Sequence, residues 1–166
     1  MMTDAALAAL LKPARRIAVL GYSTNPGRAS HRVSSYMASA GHRVIGVNPL
    51  AATAEAPPGI AAIVPTLSAA YETFALTTPR VATAGESVEP AIEIVDVFRN
   101  PDALPGIVDE VLGLPARPKL VFLQEGVTHA ASEARLAEAG IAVVADRCIL
   151  KEHQRLVAFA GPTSGL

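Results

Sequence analysis

The sequence predicts an α/β fold: a three-layer domain whose mostly parallel sheet has about five or more strands and helices on both faces. Three observations predict it. Short apolar runs alternate with amphipathic stretches along most of the chain. The runs are continuous rather than alternating, as in strands buried on both faces. Each run also ends at, or within two residues of, a Gly, Asn, Gln or Asp that marks a turn.

The elements follow in order. TDAALAALL (residues 3–11) reads as a short helix capped by Thr3 or Asp4 and stopped by Pro13. RIAVLG (16–21) is the first strand. Between Ser30 and Ala40 the residues Val33, Tyr36, Met37 and Ala40 share one helical face, and Gly41 ends the helix. RVIGV (43–47) is the second strand, cut off by Asn48-Pro49. Together these make a βαβ unit. Residues 50–90 are less regular: SAAYETFAL (68–76) reads as a helix and 77–90 as an exposed loop. EIVDVF (93–98) is a strand and 104–114 a helix. LVFLQ (120–124) is the next strand. Residues 130–139 form a helix with Ala134, Leu136 and Ala137 inward and Gly140 closing it. IAVVA (141–145) is the last strand, and 160–166 a mobile tail.

The bulk numbers set limits. A chain of 166 residues fits one domain, with its core at about 14–156. Four Phe, three Tyr and no Trp leave an aliphatic core. A net charge of −1 gives no basic field for nucleic acid or a membrane surface. One cysteine, Cys148, excludes an internal disulfide and suits the cytoplasm. No apolar run approaches the ~18 residues of a spanning helix, and no signal pattern is expected at the start of the sequence.

In parallel sheets ligands bind at the carboxyl ends of the strands. Here those ends are Gly21-Tyr22-Ser23, Asn48-Pro49, Phe98-Arg99-Asn100, Gln124-Glu125-Gly126 and Asp146-Arg147-Cys148. Most of the chain's unusual polar residues gather there. The loop GYSTNPGRAS (21–30) departs from the dinucleotide fingerprint G-x-G-x-x-G, with Ser23 and Pro26 at the second and third glycine positions. No acid closes the second strand to hold ribose hydroxyls, so NAD and FAD are disfavoured. A helix start with Ser23, Thr24, Asn25, Ser30, Arg28 and Arg32 nearby still suits a phosphorylated ligand. The alternative is an ordinary turn with solvated arginines.

Four segments then carry a family pattern: AVLGYSTNPGRASHRVSSYMASAGHRVIGVNP (18–49), IVDVFRNP (94–101), VFLQEGV (121–127) and VVADRCILKEH (143–153). In this order and spacing the chain resembles the stand-alone CoA-binding proteins. These are relatives of the nucleotide-binding domain of the succinyl-CoA synthetase alpha subunit, and their fold is Rossmann-like. The resemblance implies a small-molecule ligand, coenzyme A or an acyl-CoA. It implies that Gly21, Tyr22, Ser23, Asn25 and Pro26 form the turn under the diphosphate. Arg28, Ser30 and Arg32 would be phosphate partners, and Val47, Asn48 and Pro49 would flank the adenosine. Phe98 and Arg99 would border the ligand further along, and Gln124, Glu125 and Gly126 would lie near the pantetheine arm. Tyr22 departs from the family's small residue, Glu125 from its usual apolar one, and the stretch at 72–90 is longer.

The expected function is non-catalytic binding of CoA, with a protein partner as a further possibility. One alternative is a subunit of an acyl-CoA ligase or transferase acting with a partner chain. Another is an NADP- or nucleotide-sensing domain. No metal-ligand spacing, G-x-S-x-G elbow or P-loop is present. His42 reads as a surface residue, and His129, at a helix start, as a polar surface residue rather than a phosphate carrier. Cys148 reads as a buried or half-buried small residue, although Arg147 beside it would favour a thiolate able to form a mixed disulfide with CoA. Asp146 and Arg147 should pair with each other or with neighbouring loops.

Overall fold

The computed structural model describes residues 2–78 and 89–159. Most of the loop expected at 77–90 and the tail expected at 160–166 lie outside the described residues.

Six parallel strands form one sheet: β1 (Arg16–Leu20), β2 (Arg43–Val47), β3 (Ile60–Val64), β4 (Ile94–Val97), β5 (Leu120–Leu123) and β6 (Ala142–Val144). Their spatial order is β3-β2-β1-β4-β5-β6. Chain order therefore reverses between β1 and β4, where Leu20 pairs with Val97. The helices are α1 (Asp4–Leu11), α2 (Ala29–Ser39), α3 (Leu67–Thr77), α4 (Leu104–Leu112), α5 (Ala130–Glu138) and α6 (Ile149–His153). A 3₁₀ turn, Pro101–Ala103, leads into α4, and a π-helical turn, Gln154–Ala158, extends α6.

Alternation along the strands divides the core in two. Leu20, Val47, Val97 and Leu123 face α3, α4 and α5 through Phe74, Leu104, Val108 and Leu136. Val19, Val44, Ile94 and Phe122 face α1, α2 and α6 through Leu7, Leu11, Val33, Met37 and Ile149. Apart from Asp96 in β4 and the arginines that open β1 and β2, the strands are apolar on both faces, which is what made the runs visible in the sequence.

The caps follow from local chemistry. Thr3 Oγ1 accepts the Ala6 N–H at 3.1 Å, and Thr66 Oγ1 accepts that of Ala69 at 3.1 Å. His129 starts α5 in a reciprocal pair: its Nδ1 accepts the Ser132 N–H, and its own N–H donates to Glu133 Oε2 at 2.9 Å. At the amino edge of the sheet, buried Glu93 pairs with Arg15 at 2.8 Å and Arg16 at 3.4 Å.

Three expectations change, and one segment that the sequence left unassigned gains structure. Ile60–Val64 is a strand inside the segment read as irregular; it is an edge strand whose register slips against β2 between Val44 and Ile45. In α5 the inward residues are Ser132 and Leu136, while Ala134 and Ala137 are exposed. The chain continues past the last strand into α6 and its π-helical turn. His42 is buried rather than on the surface, because that C-terminal segment covers it. Its Nδ1 accepts the Arg15 N–H at 3.0 Å and its ring meets His153 edge-on at 5.5 Å. Burial, with a smaller push from His153, lowers its imidazole to about 4.

Candidate functional site at the strand ends

The turn after β1 is built around two close approaches. Gly21 has φ +79°, and a Cβ there would collide with the Phe98 carbonyl oxygen. Only glycine lets the ends of β1 and β4 come together in this way. Tyr22 then turns its side chain away from the crevice into the core. It is fully buried, lies across Gly46 of β2, and stacks on His31 at 6.1 Å between ring centroids. A Cβ on Gly46 would meet the Tyr22 ring at 2.5 Å. The aromatic at this position is therefore accommodated by a missing side chain on the next strand. Tyr22 contributes only its backbone to the turn.

The loop beyond is held by its own polar groups. Ser30 is buried, and its Oγ accepts the Ser23 N–H at 3.0 Å. Ser23 Oγ accepts the Asn25 N–H at 3.1 Å, and Asn25 Oδ1 accepts that of Gly27 at 2.9 Å. The Arg32 guanidinium donates to the Gly27 carbonyl at 2.7 Å, and His31 Nδ1 donates to that of Ser23 at 3.1 Å. Ser30 and Arg32, expected as phosphate partners, thus brace the loop. Pro26 and Arg28 are exposed. Arg28 begins α2, which carries no side-chain cap, and its guanidinium has no partner among the described residues. Free N–H groups and a cation therefore stand together at the helix start.

Asn48 ties this loop to the second strand end. Its Nδ2 donates to the Tyr22 carbonyl at 2.8 Å and its Oδ1 accepts the Leu50 N–H at 2.9 Å. Next to it, on the α3/α4 side, opens a cavity of about 250 Å³. Four of the residues singled out in the sequence, Gly21, Val47, Pro49 and Arg99, line it. Sequence reasoning missed the opposite wall: Pro65, Thr66 and Leu67 at the start of α3, and Gly106, Ile107 and Glu110 on α4. The Pro65–Leu67 part of that wall depends on β3, which was not foreseen. The volume suits one ring-sized group of a larger ligand.

The remaining predicted residues lie further along the edge. Phe98 is half-buried against the α2/α6 core, and its N–H donates to the Leu20 carbonyl at 2.9 Å. Gln124 is buried and donates from Nε2 to Asp96. Glu125 is exposed and pairs with Lys151 at 2.6 Å. The Gly126 N–H donates to Asp146 Oδ1 at 2.8 Å, and Asp146 itself has φ +56°. Arg147 lies 4.0 Å from Glu152, so Asp146 and Arg147 each bond a neighbouring segment. Cys148 is a half-buried free thiol preceding α6. Asp96 was not singled out in the sequence, although an acid inside an otherwise apolar run was the signal.

Six parallel strands in this order, with helices on both faces and a crevice where chain order reverses, define a doubly wound domain of the Rossmann kind. The chain belongs to the CoA binding domain family, whose model matches residues 15–154. It is 31% identical over 144 residues to the uncharacterized protein YneT of Bacillus subtilis (strain 168), covering 87% of this chain and 89% of that one. Among solved structures it resembles cell-free ID.343 from Thermus thermophilus, with 42% identity and a TM-score of 0.73 over 93% of this chain and 99% of that one. It also resembles a hypothetical protein from Pyrococcus horikoshii OT3, with 26% identity and a TM-score of 0.71 over 94% and 93%. Among the described residues, no helix is long and apolar enough to cross a membrane.

Proposed function

We propose that this protein binds coenzyme A or an acyl-CoA and holds it without transforming it. The observation that carries the reading is the pairing at the β1 end of an uncapped helix start bearing Arg28 with the neighbouring cavity behind Gly21. Family membership names the ligand. The helix start and Arg28 take phosphate, and the cavity between Val47, Pro49 and α4 takes a ring. The acyl or thiol end then runs along the edge toward Gln124. The site's polar side chains support holding rather than reaction: Ser23, Ser30, Asn25 and Asn48 are all engaged in fixing the loops.

The test is calorimetry with CoA, dephospho-CoA, NADP and NAD. CoA should bind best. Arg28→Ala should weaken CoA by about tenfold, the loss of one charge-assisted contact, while leaving the melting temperature unchanged. Equal affinity for NADP and CoA, or no effect of Arg28→Ala, would overturn the assignment.

A further inference from the structure

Asp96 stands in the middle of β4, 1% exposed, with Val19 of β1 and Phe122 of β5 as its strand neighbours. Nothing in the strand pairing needs an acid there, and its burial is costly. Desolvation pushes the carboxyl up to about 8, against a smaller opposing pull from Gln124. On this face of the sheet Tyr22 and Cys148 pack in the core cluster, and His31 stacks on Tyr22. None of them bonds Asp96 or shifts its proton.

What Asp96 does touch is Gln124. The Gln124 Nε2 donates to Asp96 Oδ1, while Asp96 Oδ2 is buried without a partner. Gln124 has a fixed backbone: its N–H donates to the Val97 carbonyl at 3.2 Å and its carbonyl accepts the Val127 N–H at 2.9 Å. Its side chain therefore has one freedom that matters, the direction of its amide. Asp96 lies toward the amino end of the sheet, since it pairs with Phe122, two residues before Gln124. An amide that gives its NH₂ group to Asp96 turns its carbonyl oxygen toward the strand end.

We propose that Asp96 is a positioning residue that holds the Gln124 amide with Oε1 presented to an N–H donor of the ligand. The inference rests on the CoA reading above, where that donor is an amide of the pantetheine arm. A carboxylate can only accept, so it enforces this direction. A neutral acid can also donate to Oε1 and lets the amide turn over. Binding of an N–H donor is thereby linked to release of the Asp96 proton.

Two measurements test it. In ¹⁵N NMR without ligand, the Gln124 NH₂ signals should shift with a midpoint near pH 8, and Asp96→Asn should abolish the shift. In calorimetry with CoA, Asp96→Leu and Gln124→Met should each weaken binding about tenfold, and the double variant no further. Asp96→Asn, which can still accept from Gln124, should stay within about threefold of wild type. Gln124 signals indifferent to pH, or additive losses in the double variant, would overturn the proposal. Should Asp96→Leu fail to fold, the NMR titration and Asp96→Asn still decide. Wild type binding CoA while Gln124→Met binds equally well would refute this inference alone. A Gln124 titration without any CoA binding would refute the CoA reading alone.

Discussion

Gly46→Ala should destabilise the protein through Tyr22, and the damage should disappear when Tyr22 is also shortened. The new Cβ would sit 2.5 Å from Tyr22 Cγ and Cδ1 and 3.0 Å from its Cβ. The ring has nowhere to retreat: it is fully buried in the cluster holding Ile17, Val33 and Met37, and His31 stacks on it. Overpacking typically costs about 1–3 kcal/mol, and a ring fixed this firmly belongs at the upper end. About 3 kcal/mol corresponds to a melting point lowered by about 6–12 °C in a chain of this length. Tyr22→Ala alone loses a buried aromatic, which costs about 3–5 kcal/mol in a core. The lower end applies because its hydroxyl is buried without a partner; for the same reason Tyr22→Phe should be neutral or slightly stabilising. In the double variant the methyl added on β2 enters the space left by the ring, and the remaining 3.0 Å contact with the Cβ at position 22 is relieved by a shift of a few tenths of an ångström. Its cost should match Tyr22→Ala alone, about 3 kcal/mol rather than about 6, giving a coupling of about 3 kcal/mol in urea unfolding. Additivity of the two substitutions to within about 0.5 kcal/mol would refute the packing argument.

Stability should also depend on pH through Asp96. Its folded carboxyl holds a proton up to about 8 against 3.8 for a free Asp, so the folded state binds the extra proton between those values. Stability therefore falls as pH rises from about 4 to 8 and levels above, by about 4 kcal/mol between pH 4 and 7. Asp96→Asn should remove this slope in urea titrations; a slope that persists would assign it elsewhere. His42 acts in the opposite sense. It is neutral when folded down to about 4, while the unfolded chain charges its imidazole below 6.5, so stability is lost as pH falls through that window. His42→Gln should flatten this acid limb in the Asp96→Asn background, and an unchanged limb would show that other groups produce it. Gly21→Ala would drive a Cβ into the Phe98 carbonyl oxygen at φ +79°. It should cost about 3 kcal/mol or more and abolish ligand binding in thermal-shift assays; an unchanged melting point would contradict the close approach of β1 and β4.

What the sequence made legible, and what it hid, follows from the same physics. The β1–α2–β2 unit was readable because both strands are buried on both faces and end at Gly21 and at Asn48-Pro49. Strand periodicity and turn chemistry there point to one answer. The strand β3 was hidden because IAAIV lies at a sheet edge with a shifted register, inside an Ala- and Pro-rich stretch whose local signals do not distinguish strand from loop. Losing β3 also lost the cavity wall at Pro65, Thr66 and Leu67. The strand ends showed which residues gather, because topology alone brings them to one edge. They could not show direction. Ser30 and Arg32 were read as ligand contacts from their types, yet each faces the loop it braces. Tyr22 was read as part of the crevice, yet it points into the core. Its clue lay one strand away: a glycine inside the strand RVIGV marks a close approach by another group. The acid inside EIVDVF was a clue of the same kind. A strand with both faces covered has no outward position for a carboxylate, so an acid at its centre must answer to a neighbour. Gln124 at the end of the adjacent strand is that neighbour. The two residues that broke the local pattern, Gly46 and Asp96, thus explain the two site positions, Tyr22 and Gln124, whose directions the sequence left open.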